Sequence, residues 1–171
     1  MLTVRPELPQ DYDHVYDIVK RAFEKAEHTD GDEQNLVVRL RNSPAFIPEL
    51  SLAAEFDGRL AGHIMFTKLK AGDTTQLCLA PLAVAPEFQN RGIGGALIKA
   101  GHLAAKNLGY EFSILIGHPG YYPRFGYQNA ANFGIKCPLE LPEDVFMAFN
   151  LQGKKTILNA MIEFPRAFFE K

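Results

Sequence analysis

The stretch PLAVAPEFQNRGIGGAL, residues 81–97, runs from an apolar, strand-like segment through a proline-marked turn into a glycine-rich helix start. Pro86 suits the bend after the strand, and Gln89, Asn90, Arg91, Gly92, Ile93, Gly94 and Gly95 join small residues to the first turn of a helix. The opening amides of a helix have no intrahelical acceptors and carry the positive end of its dipole, so one phosphate can accept from several of them. Glycine lets a ligand come close to such backbone. The stretch therefore reads as an anion-binding turn.

Two commoner phosphate motifs are excluded by residue identity. A nucleotide P-loop needs GxxxxGK followed by Ser or Thr, and no such run is present. A dinucleotide fingerprint GxGxxG would need Gly or Ala at the last position after Gly92 and Gly94, where Leu97 stands. Glu111 has roughly the spacing of the ribose-binding acid, yet it opens the next expected strand instead of ending it.

What survives is Gln-x-x-Gly-x-Gly after a strand ending Leu-x-Val, and this resembles the coenzyme A signature of the GNAT superfamily of N-acetyltransferases. Downstream, Tyr122-Pro123-Arg124-Phe125-Gly126-Tyr127 resembles the superfamily's second signature, a tyrosine-bearing turn that closes on glycine and an aromatic. With EQNLVVRLR (33–41), GHIMF (62–66) and GHPGYYPRFGY (117–127), the chain is most similar to the bacterial YhbS-like subgroup. The resemblance implies one acetyltransferase domain over residues 1–171, of which 1–130 match the superfamily core and 131–171 are C-terminal strands and a tail.

Composition narrows the class from another side. The chain has 171 residues, 47% hydrophobic and 22% charged, which fits one ordinary globular domain with a core of its own. A net charge of -2 and the lack of a basic tract argue against an electrostatic nucleic-acid binder. The two cysteines, Cys78 and Cys137, share no metal-like spacing with the histidines, so free thiols are expected and no metal site. No apolar run is long enough to span a bilayer, and Arg5 and Pro6 stand where a leader's apolar region would lie, so the expected location is cytoplasmic.

Outward from the central stretch, residues 2–5 read as an edge strand. Val15, Ile18, Val19, Ala22 and Phe23 mark one face of a helix. A polar break at 27–31 follows. Asp30 and Glu33 have capping-box spacing before a second helix with Leu36, Val37 and Leu40 inward. Asp57-Gly58 signals a tight hairpin between strands at 52–56 and 60–69. A strand at 76–85 leads into the glycine turn. The helix beyond it has Leu97, Ile98, Gly101, Ala104, Ala105 and Leu108 on its apolar side and a left-handed cap at Gly109. Residues 110–117 suit a central strand, 121–125 a helical turn, and 131–137 and 146–151 further strands, with a last strand and tail in 156–169. This order predicts an α/β (α+β) fold: a mixed, mostly antiparallel GNAT-like sheet with helices on both faces.

The resemblance implies acetyl-CoA as cosubstrate, held by the backbone of Leu82, Ala83 and Val84 and by the turn from Gln89 to Gly95. Backbone amides aimed at developing charge act as an oxyanion hole, although Leu82 and Val84 are equally good core residues. Arg91 either adds a charge-assisted contact or is a solvated surface residue. Tyr122 is the expected general acid, since a phenol near pKa 10 can protonate a leaving thiolate of about 8.5. An acceptor amine must first lose a proton; His118 and Glu33 are the candidate bases, with Glu55 and His63 behind them. Three functions stay open: acetyl transfer to the primary amine of a small molecule, transfer to a protein or peptide, and a non-catalytic acyl-CoA-binding regulatory module. The first expects a small-molecule amine as partner, with no nucleic acid and no membrane; oligomeric state is open, a homodimer included.

Overall fold

The chain folds into β1 (Leu2–Pro6), α1 (Tyr12–Phe23), α2 (Glu33–Arg41), β2 (Ser51–Phe56), β3 (Arg59–Ala71), β4 (Thr74–Val84), α3 (Ile93–Asn107), β5 (Phe112–Ile116), β6 (Gln128–Asn129), β7 (Ile135–Lys136), β8 (Phe146–Asn150) and β9 (Ala160–Glu163). The computed structural model describes residues 1–26 and 29–170. The strands lie in the order β1-β2-β3-β4-β5-β8-β6, and β9 pairs with β3 and β7. The β4–β5 and β7–β9 pairings are parallel and the other pairings antiparallel, so the expected mixed, mostly antiparallel sheet is present.

The sheet is covered on both faces because its central strands are apolar on both. Residues 61–67 of β3 are buried without a break. On one face Gly62 lies against Ile93 and Leu97 of α3, and the ring of Phe66 fills the space left by Gly101. The other face meets α1, which packs on β3, β4 and α2 and buries Val15, Ile18 and Val19 as its spacing predicts. The hairpin at Asp57-Gly58 forms with φ of 50° and 79°, the left-handed pair that a two-residue turn requires. Among the described residues, no helix is long and apolar enough to cross a membrane.

Three local expectations need correction, and one lies partly outside the described residues. α2 is capped by Asp32, because the carboxylate of Asp30 is engaged by the Asp32 N–H at 3.0 Å and that of Glu33 by the Thr29 hydroxyl. Glu27 and His28 of the expected polar break lie outside the described residues. The strand expected at 131–137 is a 3-10 turn followed by the two residues of β7, since Gly134 has φ of 68° and redirects the chain. Leu108, placed on the buried side of α3, is 44% exposed, one step past the last helical residue.

A buried polar cluster lies between β1, α2 and β3. Arg41 donates from Nε and Nη2 to both oxygens of Glu7, 3.1 Å each, and Ser51 Oγ donates to Glu7 at 2.6 Å. His63 lies beside them with Nδ1 3.8 Å from Glu7 and, among the described residues, neither ring nitrogen hydrogen-bonded. Burial pushes its pKa down to about 4, against the attraction of Glu7 and with the repulsion of Arg41. His63 is therefore folded in its neutral form. Between pH 6.5 and 4 the unfolded chain binds a proton that native His63 refuses, so stability must fall with pH across that window. A drop from 6.5 to about 4 corresponds to about 3 kcal/mol. Denaturant titrations at several pH values should show this slope in the wild type and a markedly flatter one in His63→Leu; equal slopes would contradict the assignment.

Candidate functional site

The site begins where the sheet stops being continuous. β4 and β5 pair only at Leu77↔Ser113 and Cys78↔Ile114. Beyond that, β4 runs on to Val84 paired with β3 alone, and β5 to Ile116 paired with β8 alone. An antiparallel strand turns alternate peptide groups to its two edges. Half of the backbone polar groups in residues 79–84 thus face an edge where the ladder has ended. A bulge accompanies the parting: Phe66 faces Leu79 and Ile64 faces Leu82, so β4 has one residue more than β3 there, with Pro81, which has no N–H to donate, inside the bulge. Leu82, Ala83 and Val84, the expected thioester-binding residues, form the end of this unpaired edge.

A 3-10 turn at Pro86–Phe88 then carries the chain to α3. Gln89 donates its side-chain N–H to the Val84 carbonyl at 3.1 Å, tying the turn to the strand. Gly92 caps α3 with φ of 78°, and no acidic residue lies in the first turn. The first intrahelical bond runs from Ala96 N–H to Gly92 C=O at 3.1 Å. The N–H groups of Ile93, Gly94 and Gly95 therefore have no acceptor within the helix. Asn90, Arg91 and Gly92 are exposed. The guanidinium of Arg91 lies 5.3 Å over the ring of Phe56, on the β2–β3 hairpin.

The second signature closes over this turn. Residues Tyr122–Phe125 form a 3-10 turn that stops at Gly126, φ 95°. A Cβ on Gly94 would strike the hydroxyl of Tyr121, and one on Gly95 would come within 2.9 Å of the Phe125 ring. These glycines are small because an aromatic turn packs on them, a reason that the sequence reading missed. Tyr122 opens the turn that follows β5, its ring against Gly117 and edge-on to Tyr121 and Tyr127 at 5.1 and 5.7 Å. Burial, reinforced by Tyr121, pushes its phenol well above the ordinary range, so it is protonated at neutral pH. The Arg124 guanidinium lies 5.4 Å over the Tyr121 ring.

The candidate bases are scattered. His118, in the loop after β5, accepts the Gly120 N–H at Nδ1, 3.0 Å. A neutral imidazole so bonded has its proton on Nε2 and no free lone pair, which counts against His118 as a base. Glu33 lines a concavity of about 170 Å³ with Lys20, Phe23, Glu24, Thr29, Gly31 and Gln34. This concavity is at the same end of the sheet as the glycine turn, because Arg21 near the end of α1 donates to Glu87 in the Pro86–Phe88 turn at 2.8 and 3.1 Å. Glu55 is engaged by Arg5 at 3.2 Å, and His63 is sealed in the cluster described above. Cys78 and Cys137 are free thiols, and burial raises Cys78 to about 12.

The close packing at Gly94 makes a measurable prediction. Gly94→Ala should push Tyr121 off the first turn of α3 and weaken CoA binding about tenfold, about 1.4 kcal/mol. Tyr121→Ala in the same chain should recover part of it by calorimetry. Unchanged affinity in Gly94→Ala would separate this contact from any ligand site.

Comparison with known proteins agrees with this geometry. Residues 48–129 match the family described as Acetyltransferase (GNAT) domain. The uncharacterized N-acetyltransferase YjhQ of Escherichia coli K12 is 37% identical over 117 residues, 66% of this chain and 65% of YjhQ. The chain's match thus spans about two thirds of that relative. The uncharacterized N-acetyltransferase YhbS of the same organism is 26% identical over 88% of this chain and 87% of its own, and its crystal structure with CoA superposes with a TM-score of 0.84 over 99% of this chain and 92% of that one. A GNAT family acetyltransferase from Brucella melitensis, solved with acetyl-CoA, shares 28% identity and a TM-score of 0.81 over 98% of both chains. In sheet topology and in the paired glycine and tyrosine turns the chain has the GNAT fold, and its residues 48–129 match that family's acetyltransferase domain.

Proposed function

We propose that this protein transfers an acetyl group from acetyl-CoA to the primary amine of a small molecule. The observation that carries the reading is the free N-terminus of α3 standing beside the place where β4 and β5 part. The amides of Ile93, Gly94 and Gly95 suit the coenzyme's pyrophosphate, which can accept from several of them. The open edge of β4 at Leu82, Ala83 and Val84 suits the pantetheine arm and the thioester carbonyl. A backbone donor aimed at the developing oxyanion is typically worth about 3 to 4 kcal/mol. That relatives have been solved with CoA and acetyl-CoA supports the same ligand here.

In this reading Tyr122 gives its phenolic proton to the sulfur in concert with C–S cleavage; burial keeps the phenol protonated until then but also widens its pKa gap to the thiol, so the transfer needs the charge that develops on the sulfur. Glu33 takes the proton that the attacking amine releases; its carboxylate is half-buried and, among the described residues, bonded only by the neutral Thr29 hydroxyl, 2.7 and 2.8 Å. The adjoining concavity, about 170 Å³, has room for an amine beside Glu33.

Thiol release from acetyl-CoA, followed across alkylamines, polyamines, amino acids and peptides, tests the activity and ranks the acceptors. Turnover should be highest with a small amine; tight CoA binding without turnover on any acceptor would favour a binding module. Tyr122→Phe should lower kcat about a hundredfold with KM for acetyl-CoA within about twofold, and retention of full kcat would remove Tyr122 from the acid role.

A further inference from the structure

Tyr127 has its ring fully enclosed and its hydroxyl held by two other elements. Its Oη lies 2.7 Å from Ser113 Oγ on β5 and 2.9 Å from His102 Nε2 on α3. The His102 ring lies flat on Phe149 of β8, with centroids 4.1 Å apart and planes 12° apart. A neutral imidazole can accept the Tyr127 proton at Nε2 or donate its own, and in each case the buried Ser113 hydroxyl completes the chain. Three hydroxyl and imidazole groups thus lock α3, β5 and the segment after the Tyr122 turn to one another.

Tyr122 depends on this lock. Among the described residues nothing hydrogen-bonds its hydroxyl, so its direction is set by ring packing: Gly117 beneath, Tyr121 on one side, Tyr127 on the other. Tyr127 is the wall of that niche that cannot rotate freely, because its hydroxyl is held at both sides. The neighbouring buried positions of α3, Ile98, Gly101 and Ala105, are apolar. An apolar residue at 102 would pack against Phe149 as well as histidine does, but it would leave Tyr127 one partner short.

We propose that His102 is a positioning residue for acetyl transfer: by holding the Tyr127 hydroxyl it fixes the ring of Tyr122 relative to α3, the helix whose N-terminus receives the coenzyme. The inference rests on the reading of Tyr122 as the general acid. It adds that the helix binding the donor and the phenol protonating the leaving sulfur are held in register by one imidazole.

The test is kinetic and spectroscopic, on the full chain. His102→Phe keeps a ring to stack on Phe149 and deletes the nitrogen; His102→Gln keeps a polar atom within reach of Tyr127. Thiol release from acetyl-CoA is followed with hydroxylamine as acceptor, which is small and unprotonated at neutral pH and so needs no acceptor pocket. His102→Phe should lose about tenfold in kcat with KM for acetyl-CoA within about twofold, and His102→Gln should recover most of it. Combined with Tyr122→Phe, His102→Phe should add no further loss. Without coenzyme, the chain has six tyrosines and no tryptophan, so tyrosinate absorbance can be titrated directly. The titration of the buried tyrosines should change in His102→Phe and return to the wild-type curve in His102→Gln. Full kcat in His102→Phe, or additive losses in the double variant, would overturn the proposal while leaving Tyr122 as the acid. Wild-type kcat in Tyr122→Phe alone would instead overturn the acid reading, and the positioning role with it. If His102→Phe does not fold, Tyr127→Phe, which deletes both hydrogen bonds, faces the same outcomes.

Discussion

Two parallel residue pairs hold β4 to β5, and then the strands part. The rest of the site follows from that short ladder. Each strand keeps its other neighbour past the parting, so the opening is a gap between two well-supported edges and not a frayed end. The bulge at Pro81 interrupts the β3 ladder, which resumes at Ile64↔Leu82, and the chain leaving β4 reaches α3 through the Pro86–Phe88 turn and residues 89–92. The free amides at the start of α3 are consequently delivered beside the gap. An extended thioester with an anionic tail fits that arrangement: the neutral arm in the gap, the charge on the helix.

The aromatic residues after β5 form the other wall. Tyr121 and Phe125 lie on Gly94 and Gly95, Tyr122 lies on Gly117, and Phe149 lies on Gly126. Glycine appears in this region chiefly as the partner of a ring; Gly92 has a left-handed φ and open surroundings, and Gly126 combines a left-handed φ with the Phe149 contact. The polar groups that steady this wall are paired, buried Tyr127 with buried Ser113 and with half-buried His102. The exposed arginines Arg91 and Arg124 rest on Phe56 and Tyr121.

Features set by neighbours in sequence were legible before the fold was known. The Asp57-Gly58 hairpin, the Gly109 cap and the glycine turn each depend on local backbone conformation, and each forms as expected. The capping box was misread because Asp30 and Glu33 had the right spacing but found other partners, Asp32 N–H and Thr29. The polar pairs that organise the interior were not legible at all. Glu7 and Arg41 are 34 positions apart, and His102 and Tyr127 are 25 apart, so only the fold brings them together. The sequence had Gly94 and Gly95 as room for a ligand; their ring contacts come from residues in the later Tyr121–Phe125 segment, beyond any local pattern.

The central claim is that coenzyme A binds at the α3 N-terminus and along the open edge of β4. Backbone amide shifts in an NMR titration with CoA test it most directly. The account predicts the largest changes at Ile93, Gly94 and Gly95, with Leu82, Ala83 and Val84 following. Saturable binding that moves other amides and leaves these six unchanged would contradict it.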